Sequence, residues 1–455
     1  MLPERVGNYW RRLRDGARTS LWPLPAAAVV LAAAAGVLLP ELDEAVDEHL
    51  PLWLEQYLFG GGPSAARTVL SSIASSLISV TALTFSLTVV TLQLASSQFS
   101  PRLLRNFARD LVVQCTLALL LATFTYALTV LRVVRTADED RSVFVPQFSV
   151  TLAFLLALTS VMALVLFLAH LTREIRVESM VRNVHVDARS TANLLAADFR
   201  DDGSIELGQL PARPETAIIV VAPQSGFITH VDYTRLADAA INCDALICLE
   251  RRVGDAVVEG TPIGWASAVD QTHPLTDEQR STLVNCADET IDVGFERTSS
   301  QDIALGVRQL TDVAAKALSP GINDPTTAVH ALNHSAAFLC EVSSDALGAR
   351  GRLDESGRLR LAFALFTFGE LLNAAIDAPR RYGAEDPDVL AAVFALLGSV
   401  AWITGETRAE EIESQLQRTR RVVESGDFDS ANRQRLHAAE RDVRDALEHG
   451  PATSL

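Results

Sequence analysis

Four long apolar segments, residues 21–39, 69–95, 111–134 and 148–171, fill the first third of a 455-residue chain. The hydrocarbon core of a bilayer takes roughly 20 apolar residues of helix, and each segment comes close to that or exceeds it. None carries a carboxylate or a basic group in its central part; Arg132 lies only near the end of the third. Segments of this length and composition predict four transmembrane helices, and the rest of the chain reads as a large soluble part.

The arginines predict orientation. Arg5, Arg11, Arg12, Arg14 and Arg18 precede the first segment, Arg102, Arg105 and Arg109 follow the second, and Arg173, Arg176 and Arg182 follow the fourth. The loop after the first segment is acidic instead, with Glu41, Asp43, Glu44, Asp47, Glu48 and Glu55, and the loop after the third carries Asp138, Glu139 and Asp140. The positive-inside bias places both termini in the cytoplasm of a multi-pass inner-membrane protein. The first segment has basic flanks like a signal peptide. It is longer than a usual signal core, and Pro40-Glu-Leu-Asp43 is a poor cleavage site, so it is read as an uncleaved span.

The formal net charge of −17 falls wholly after residue 170, because the first 170 residues balance. An acidic soluble part repels nucleic acid and anionic lipid, which argues against RNA or DNA as a partner. Cys115, Cys243, Cys248, Cys286 and Cys340 form no CxxC pair and suit reduced, mostly buried thiols. Lys316 is the single lysine against 38 arginines. It marks either a place where the planar guanidinium does not fit or chance in an arginine-biased chain.

Along the soluble part, residues 172–199 read as a charged helical stalk. Residues 217–221, 226–229, 245–249 and 255–258 read as short strands broken by Gly, Pro and Asp. Ser225-Gly-Phe-Ile-Thr-His-Val-Asp232 and Arg252-Val-Gly-Asp-Ala-Val-Val-Glu-Gly-Thr-Pro-Ile263 resemble the barrel-sandwich hairpins of biotinyl and lipoyl carriers, but no lysine lies there to be modified. Thr276-Asp-Glu-Gln279 and Thr298-Ser-Ser-Gln301 fit capping boxes, the second opening a helix over 301–318. Asp324-Pro325 opens another, to about residue 342. Residues 348–357 read as a loop, and 359–376 and 387–404 as helices. The apolar run 389–402 is short for a span and is read as a buried core helix. Residues 406–448 read as an amphipathic hairpin broken at Gly426. The fold class expected is therefore a membrane α-helical domain (1–171), a stalk with a small β barrel-sandwich-like module (172–285), and a helical cytosolic domain (286–455).

Two stretches carry a family resemblance. One is Leu83-Thr-Phe-Ser-Leu-Thr-Val-Val-Thr-Leu-Gln-Leu-Ala-Ser-Ser-Gln-Phe-Ser-Pro-Arg-Leu-Leu104. The other is Arg297-Thr-Ser-Ser-Gln-Asp302 leading to Arg308-Gln-Leu-Thr-Asp312 and Ala317-Leu-Ser-Pro-Gly-Ile-Asn-Asp-Pro-Thr-Thr-Ala328. Over nearly its whole length the chain resembles the bacterial membrane proteins of domain of unknown function 2254. The resemblance implies an inner-membrane protein with a cytosolic C-terminal part and carries over no chemistry.

Candidate sites come from the residues. In the second span Ser72, Ser79, Ser86 and Gln93 recur every seven residues, a repeat that keeps one face inward in a left-handed bundle. Thr81, Thr84, Thr88 and Thr91 form another face. The serine line fits a hydroxyl-lined path round an oligomer axis; it also fits close packing, with hydroxyls bonded to their own helix. Proton relays and voltage sensors need ionisable groups at depth, and none is seen. In the soluble part, Gln301, Asp302, Arg308, Asp312, Lys316, Asn323, Asp324 and Thr326 are the candidate ligand-binding or gating residues. Arg308, Asp312 and Lys316, at i, i+4, i+8, line one helix face, worth about 0.3–0.5 kcal/mol per pair. The turn at 319–324 then presents a helix start that favours anions. This fits a phosphate or small-ligand site, or equally a well-capped hairpin at a subunit interface. His330 and His334 have metal spacing, but a zinc hydrolase would carry Glu where Ala331 stands, and no third ligand follows, so no metal is expected. GxSxG, P-loop, GxGxxG and kinase motifs are missing, so neither a catalytic set nor a cofactor is expected. The reading favoured is an oligomeric channel or passive pore gated by its cytosolic domain, in contact with lipid, a small ion or an anionic ligand, and other copies of itself. The competing reading is a membrane-anchored sensor or scaffold without transport.

Overall fold

The computed structural model describes residues 22–46, 58–98, 110–135, 144–174, 177–201, 204–270, 273–344 and 347–450. The N-terminal arginines, Arg102, Arg105 and Arg109, and Asp138, Glu139 and Asp140 lie outside them. Two compact units divide at residue 176, Met1–Arg176 and Val177–Leu455.

The first unit is built from α1 (Pro23–Val46), α2 (Pro63–Gln98), α3 (Leu111–Val133) and α4 (Gln147–Glu174). α3 is central and packs against the other three. Its contact with α1 is close because Gly36 has no side chain; a Cβ there would come within 2.7 Å of Thr129 Cβ. A buried cluster of Ala66, Leu70, Ala74, Tyr126, Ala127, Val130, Val150 and Ala153 joins α2, α3 and α4. Polar side chains bridge helices inside this unit, where lipid offers no partner. Asp43 accepts from both the backbone N–H and the hydroxyl of Ser149, each at 2.9 Å, so α1 supplies a cap to the first turn of α4. Thr123 and Ser160 hydrogen-bond between α3 and α4 at 3.0 Å.

The second unit opens with α5 (Val177–Asp201) and combines two sheets with a helical part. β1 (Ser204–Leu207), β2 (Ile218–Val221), β4 (Ala245–Leu249), β6 (Pro262–Ala268), β8 (Ala349–Leu353) and β9 (Leu359–Ala364) form a mixed sheet in the order β1-β8-β9-β4-β6-β2. β3 (Gly226–Val231), β5 (Ala256–Val257) and β7 (Ile291–Gly294) form a second, β5-β3-β7. α6 (Tyr233–Asn242) and α7 (Asp277–Thr290) lie between strands in sequence and pack on one another. The four strands expected from sequence are present, and the two carrier-like stretches pair antiparallel through β3 and β5, while the end of the second, Pro262-Ile263, opens β6 in the other sheet. β8 lies within the expected loop and β9 takes the first third of the expected 359–376 helix, which begins only at Phe368. Two strands from beyond residue 286 thus complete a sheet begun before it, with β9 parallel to β4.

The helical part comprises α8 (Ile303–Ala317), α9 (Pro325–Val342), α10 (Phe368–Tyr382), α11 (Pro387–Thr404), α12 (Ala409–Ser425) and α13 (Ser430–His449). Sequence chemistry sets several ends. Thr276 and Gln279 form the expected capping box of α7. Asp324 caps α9 with Pro325 in its first turn. The expected box at Thr298 does not form. Asp302 caps α8, while Thr298 donates to the carbonyl of Thr229.

Among the described residues, five helices are long and apolar enough to cross a membrane by length and composition: α1 to α4 and the stretch Pro387–Ser425 that contains α11. α11 packs against α9, α12 and α13 within the second unit, and Val389, Leu390, Val393, Phe394, Leu397, Val400 and Ala401 are buried there.

Candidate functional site

The two faces of α2 part company in the structure. Thr81, Thr84, Thr88 and Thr91 are buried, and three of their hydroxyls turn back on their own helix: Thr81 donates to the Leu77 carbonyl, Thr84 to Val80 and Thr88 to Thr84. Such bonds hide a hydroxyl in an apolar setting. Ser72, Ser79, Ser86 and Gln93 are all exposed, as are Ser75 and Ser76. The structure therefore places the seven-residue line together on one face, pointing away from α3 and α4. Ser75 donates to the Ser72 carbonyl at 3.2 Å and Ser79 to that of Ser75 at 3.0 Å, so part of the line also bonds to its own backbone.

In the second unit the expected ligand residues separate by role. Gln301 holds a strand: its Oε1 accepts from Val231 N at 2.9 Å and its Nε2 donates to Val231 O at 3.1 Å. Asp302 is buried and gripped by the Arg297 fork at 2.6 and 2.8 Å, while Oδ1 also accepts from Leu305 N. Burial pushes its carboxyl up and the Arg297 guanidinium opposes that. Gly254 closes over the pair with φ +93°; a Cβ there would fall 2.4 Å from Asp302 Oδ2.

Arg308 and Lys316 are exposed on α8, with Asp312 half-buried between them. The turn after α8 is tied by its own backbone: Asn323 N donates to Ser319 O and Asp324 N to Ala317 O, both at 2.9 Å. Asn323 sits in the left-handed region at φ +51°, a conformation asparagine tolerates. Asp324 accepts from the backbone and hydroxyl of Thr327 at 3.1 and 2.6 Å. Those bonds hold its carboxyl below the usual range. The helix start of α9, with Thr326 exposed beside it, is thus already occupied by a carboxylate of the chain.

Sequence reading linked His330 and His334 but missed His185 on α5. Its Nδ1 lies 3.3 Å from the His334 carbonyl, and the two rings stand edge to face at 5.6 Å. Glu341 faces His185 at 3.6 Å and Arg189 at 3.4 Å. The pairing spans 149 residues, so no local pattern could signal it. Among the described residues no group of three His, Cys, Asp or Glu side chains could hold a metal ion.

The family model described as "Predicted membrane protein (DUF2254)" matches residues 18–399. An uncharacterized protein of Mycobacterium tuberculosis and one of Mycobacterium bovis are each 33% identical over 396 residues, which cover 87% of this chain and 74% of the relative. No solved structure matches. The chain belongs to the DUF2254 family of predicted membrane proteins.

Proposed function

We propose that this member of the DUF2254 family is an oligomeric, passive ion pore of the inner membrane, lined by α2 and gated by its cytosolic part. One observation carries the reading: the line Ser72, Ser79, Ser86 and Gln93 faces out of the bundle while the threonine face of the same helix is buried. A polar stripe turned to lipid is unfavourable, and hydroxyls and carboxamides in spans ordinarily face other helices or water. Assembly of several copies round an axis gives the stripe such a setting without further polar groups in the spans. The topology proposed with it has four spans, α1 to α4, both termini in the cytoplasm, and α11 in the core of the cytosolic unit. The arginine distribution supports that orientation, and the buried apolar side chains of α11 support leaving it out of the membrane.

A non-conducting sensor or scaffold is the second reading. The own-helix bonds of Ser75 and Ser79 favour it, because such hydroxyls also suit tight helix packing between copies. The experiment is flux of K⁺, Na⁺, Mg²⁺ and Cl⁻ through purified protein in liposomes, with single cysteines at positions 72, 79, 86 and 93 probed by a water-soluble thiol reagent. Flux together with labelling on that line supports the pore. Protected cysteines and no flux in well-folded oligomers transfer the assignment to the scaffold.

A further inference from the structure

A second charged assembly lies away from the turn at 319–324, between α10 and α12. Asn373, Asp377 and Arg380 are spaced i, i+4, i+7 and share one face of α10. Gln415 and Arg418 face them from α12. Arg380 is 5% exposed, donating one amino group to Gln415 Oε1 at 2.7 Å and the other to Asp377 Oδ1 at 2.9 Å. Arg418 donates to Asn373 Oδ1 at 2.6 Å and to that same Asp377 Oδ1 at 2.8 Å. Arg421, one turn further along α12 and exposed, donates its Nε to the Gln417 carbonyl at 3.4 Å.

Two guanidinium groups therefore meet on a single carboxylate oxygen, and Arg421 follows Arg418 at i+3, so the two share one face of α12. The bonded group carries more arginine than carboxylate charge, with Arg380 and Arg418 sharing Asp377; burial disfavours the charged form of Arg380, Arg418 and Arg421 repel it, and Asp377 opposes both. Such an excess of positive charge is out of place in a part of the chain that carries the whole −17. The cluster is open on one side, since the Arg418 side chain is 39% exposed and that of Asp377 44%. Guanidinium forks bind phosphate and carboxylate oxygens in pairs. A phosphoryl group carries about −1.5 to −2 at neutral pH, which matches the excess better than a single carboxylate does.

We propose that Arg418 and Arg421, held in place by Arg380, Asp377, Asn373 and Gln415, form a site for a phosphoryl group. The group comes from a soluble phosphorylated molecule or from a lipid headgroup. Binding is measured directly, so the proposal stands or falls apart from the pore reading.

The test uses the full chain in nanodiscs of phosphatidylcholine, titrated calorimetrically with inorganic pyrophosphate. A saturable isotherm is expected, weakened about tenfold or more in Arg421→Gln, an exposed position whose change leaves the fold intact, as the loss of one charge-assisted contact implies. Arg435→Gln, which removes a surface pair with Asp388 at 2.7 Å elsewhere, is expected to bind like the wild type. The titration is repeated in phosphatidylglycerol discs. Binding kept there identifies a soluble phosphate as the ligand, and binding lost there alone identifies the headgroup as the resident anion. No saturable binding in phosphatidylcholine, or an Arg421→Gln isotherm equal to the wild type, overturns the proposal.

Discussion

His170 Nε2 lies 2.5 Å from Asp110 Oδ2, joining the end of α4 to the start of α3. The other oxygen of Asp110 accepts from Val112 N at 2.8 Å, so one side chain both caps α3 and holds α4. Asp110→Asn is expected to keep the cap and weaken the tie to His170. Asp110→Ala should lose both, at about 1 kcal/mol for the cap alone. In a double-mutant cycle of Asp110→Ala with His170→Ala, unfolding in detergent should show a coupling of about 0.5–3 kcal/mol. Additive losses would mean that the contact contributes nothing.

The Arg297–Asp302 pair makes a sharper case, because the Asp302 side chain is 0% exposed and that of Arg297 10%. Removing one partner of a buried pair strands the other charge, at about 3–5 kcal/mol. Arg297→Met should therefore destabilise the second unit severely. The loss should grow with pH. Burial already raises the Asp302 carboxyl above its ordinary value, and without Arg297 it rises further. The folded state then prefers the protonated acid, so stability is greatest below about pH 4, the unfolded value, and falls as pH rises through the folded one. Denaturant midpoints for Arg297→Met at pH 5 and pH 8 check this; a variant equally stable at both would contradict it.

At the α5–α9 contact the pH dependence runs the other way. Burial, then His185 and His330, holds the His334 imidazole below its ordinary range. Glu341 and Arg189 also face this contact. A base with a depressed folded value contributes fully above about pH 6.5, and its contribution is lost as pH falls towards the folded value. Amide exchange in Val177–Asp201 and Pro325–Val342 should accelerate, relative to the rest of the unit, between pH 7.5 and pH 5.5. His334→Gln should flatten that difference, and an unchanged difference would remove His334 from the account.

The legible parts of the sequence were those with local causes. The Thr276–Gln279 box, the Asp324-Pro325 start and the break at Gly426 each rest on neighbours within a turn, and each stands where the residues placed it. β9 was illegible because Arg360, Leu361, Ala362 and Phe363 are all buried, so no in-out alternation marks the strand, and Leu-Ala-Phe composition reads equally as helix. What makes it a strand is distant: pairing with β4 and β8, and Arg360 reaching Asp354 and Asp244 at 2.7 Å each. Asp302 defeated Thr298 as a cap for a similar reason, since the room left by Gly254 and the bond from Thr298 to the Thr229 carbonyl come from tertiary packing. The split between the serine and threonine faces of α2 was visible as periodicity; which face turned inward was not.

That split yields the most discriminating pair of substitutions. Thr84 is 2% exposed, and its hydroxyl already bonds within the helix. Leu there adds volume to a packed helix contact, which costs about 1–3 kcal/mol. Thr84→Leu should lower the thermal stability of the detergent-solubilised protein. Ser79 and Ser86 are exposed on the opposite face, so Leu at either position meets no neighbour inside one copy and should leave that stability unchanged. In a pore lined by this face, the same bulky side chains project into the conducting path. Ser79→Leu and Ser86→Leu should then abolish flux in liposomes while the oligomer persists in cross-linking and size measurements. If the face were only a packing surface, both changes would instead disturb assembly, because small residues there let backbones approach. Lost flux with intact oligomers, lost oligomers, and no effect on either are therefore three distinct outcomes, and only the first agrees with lining by α2.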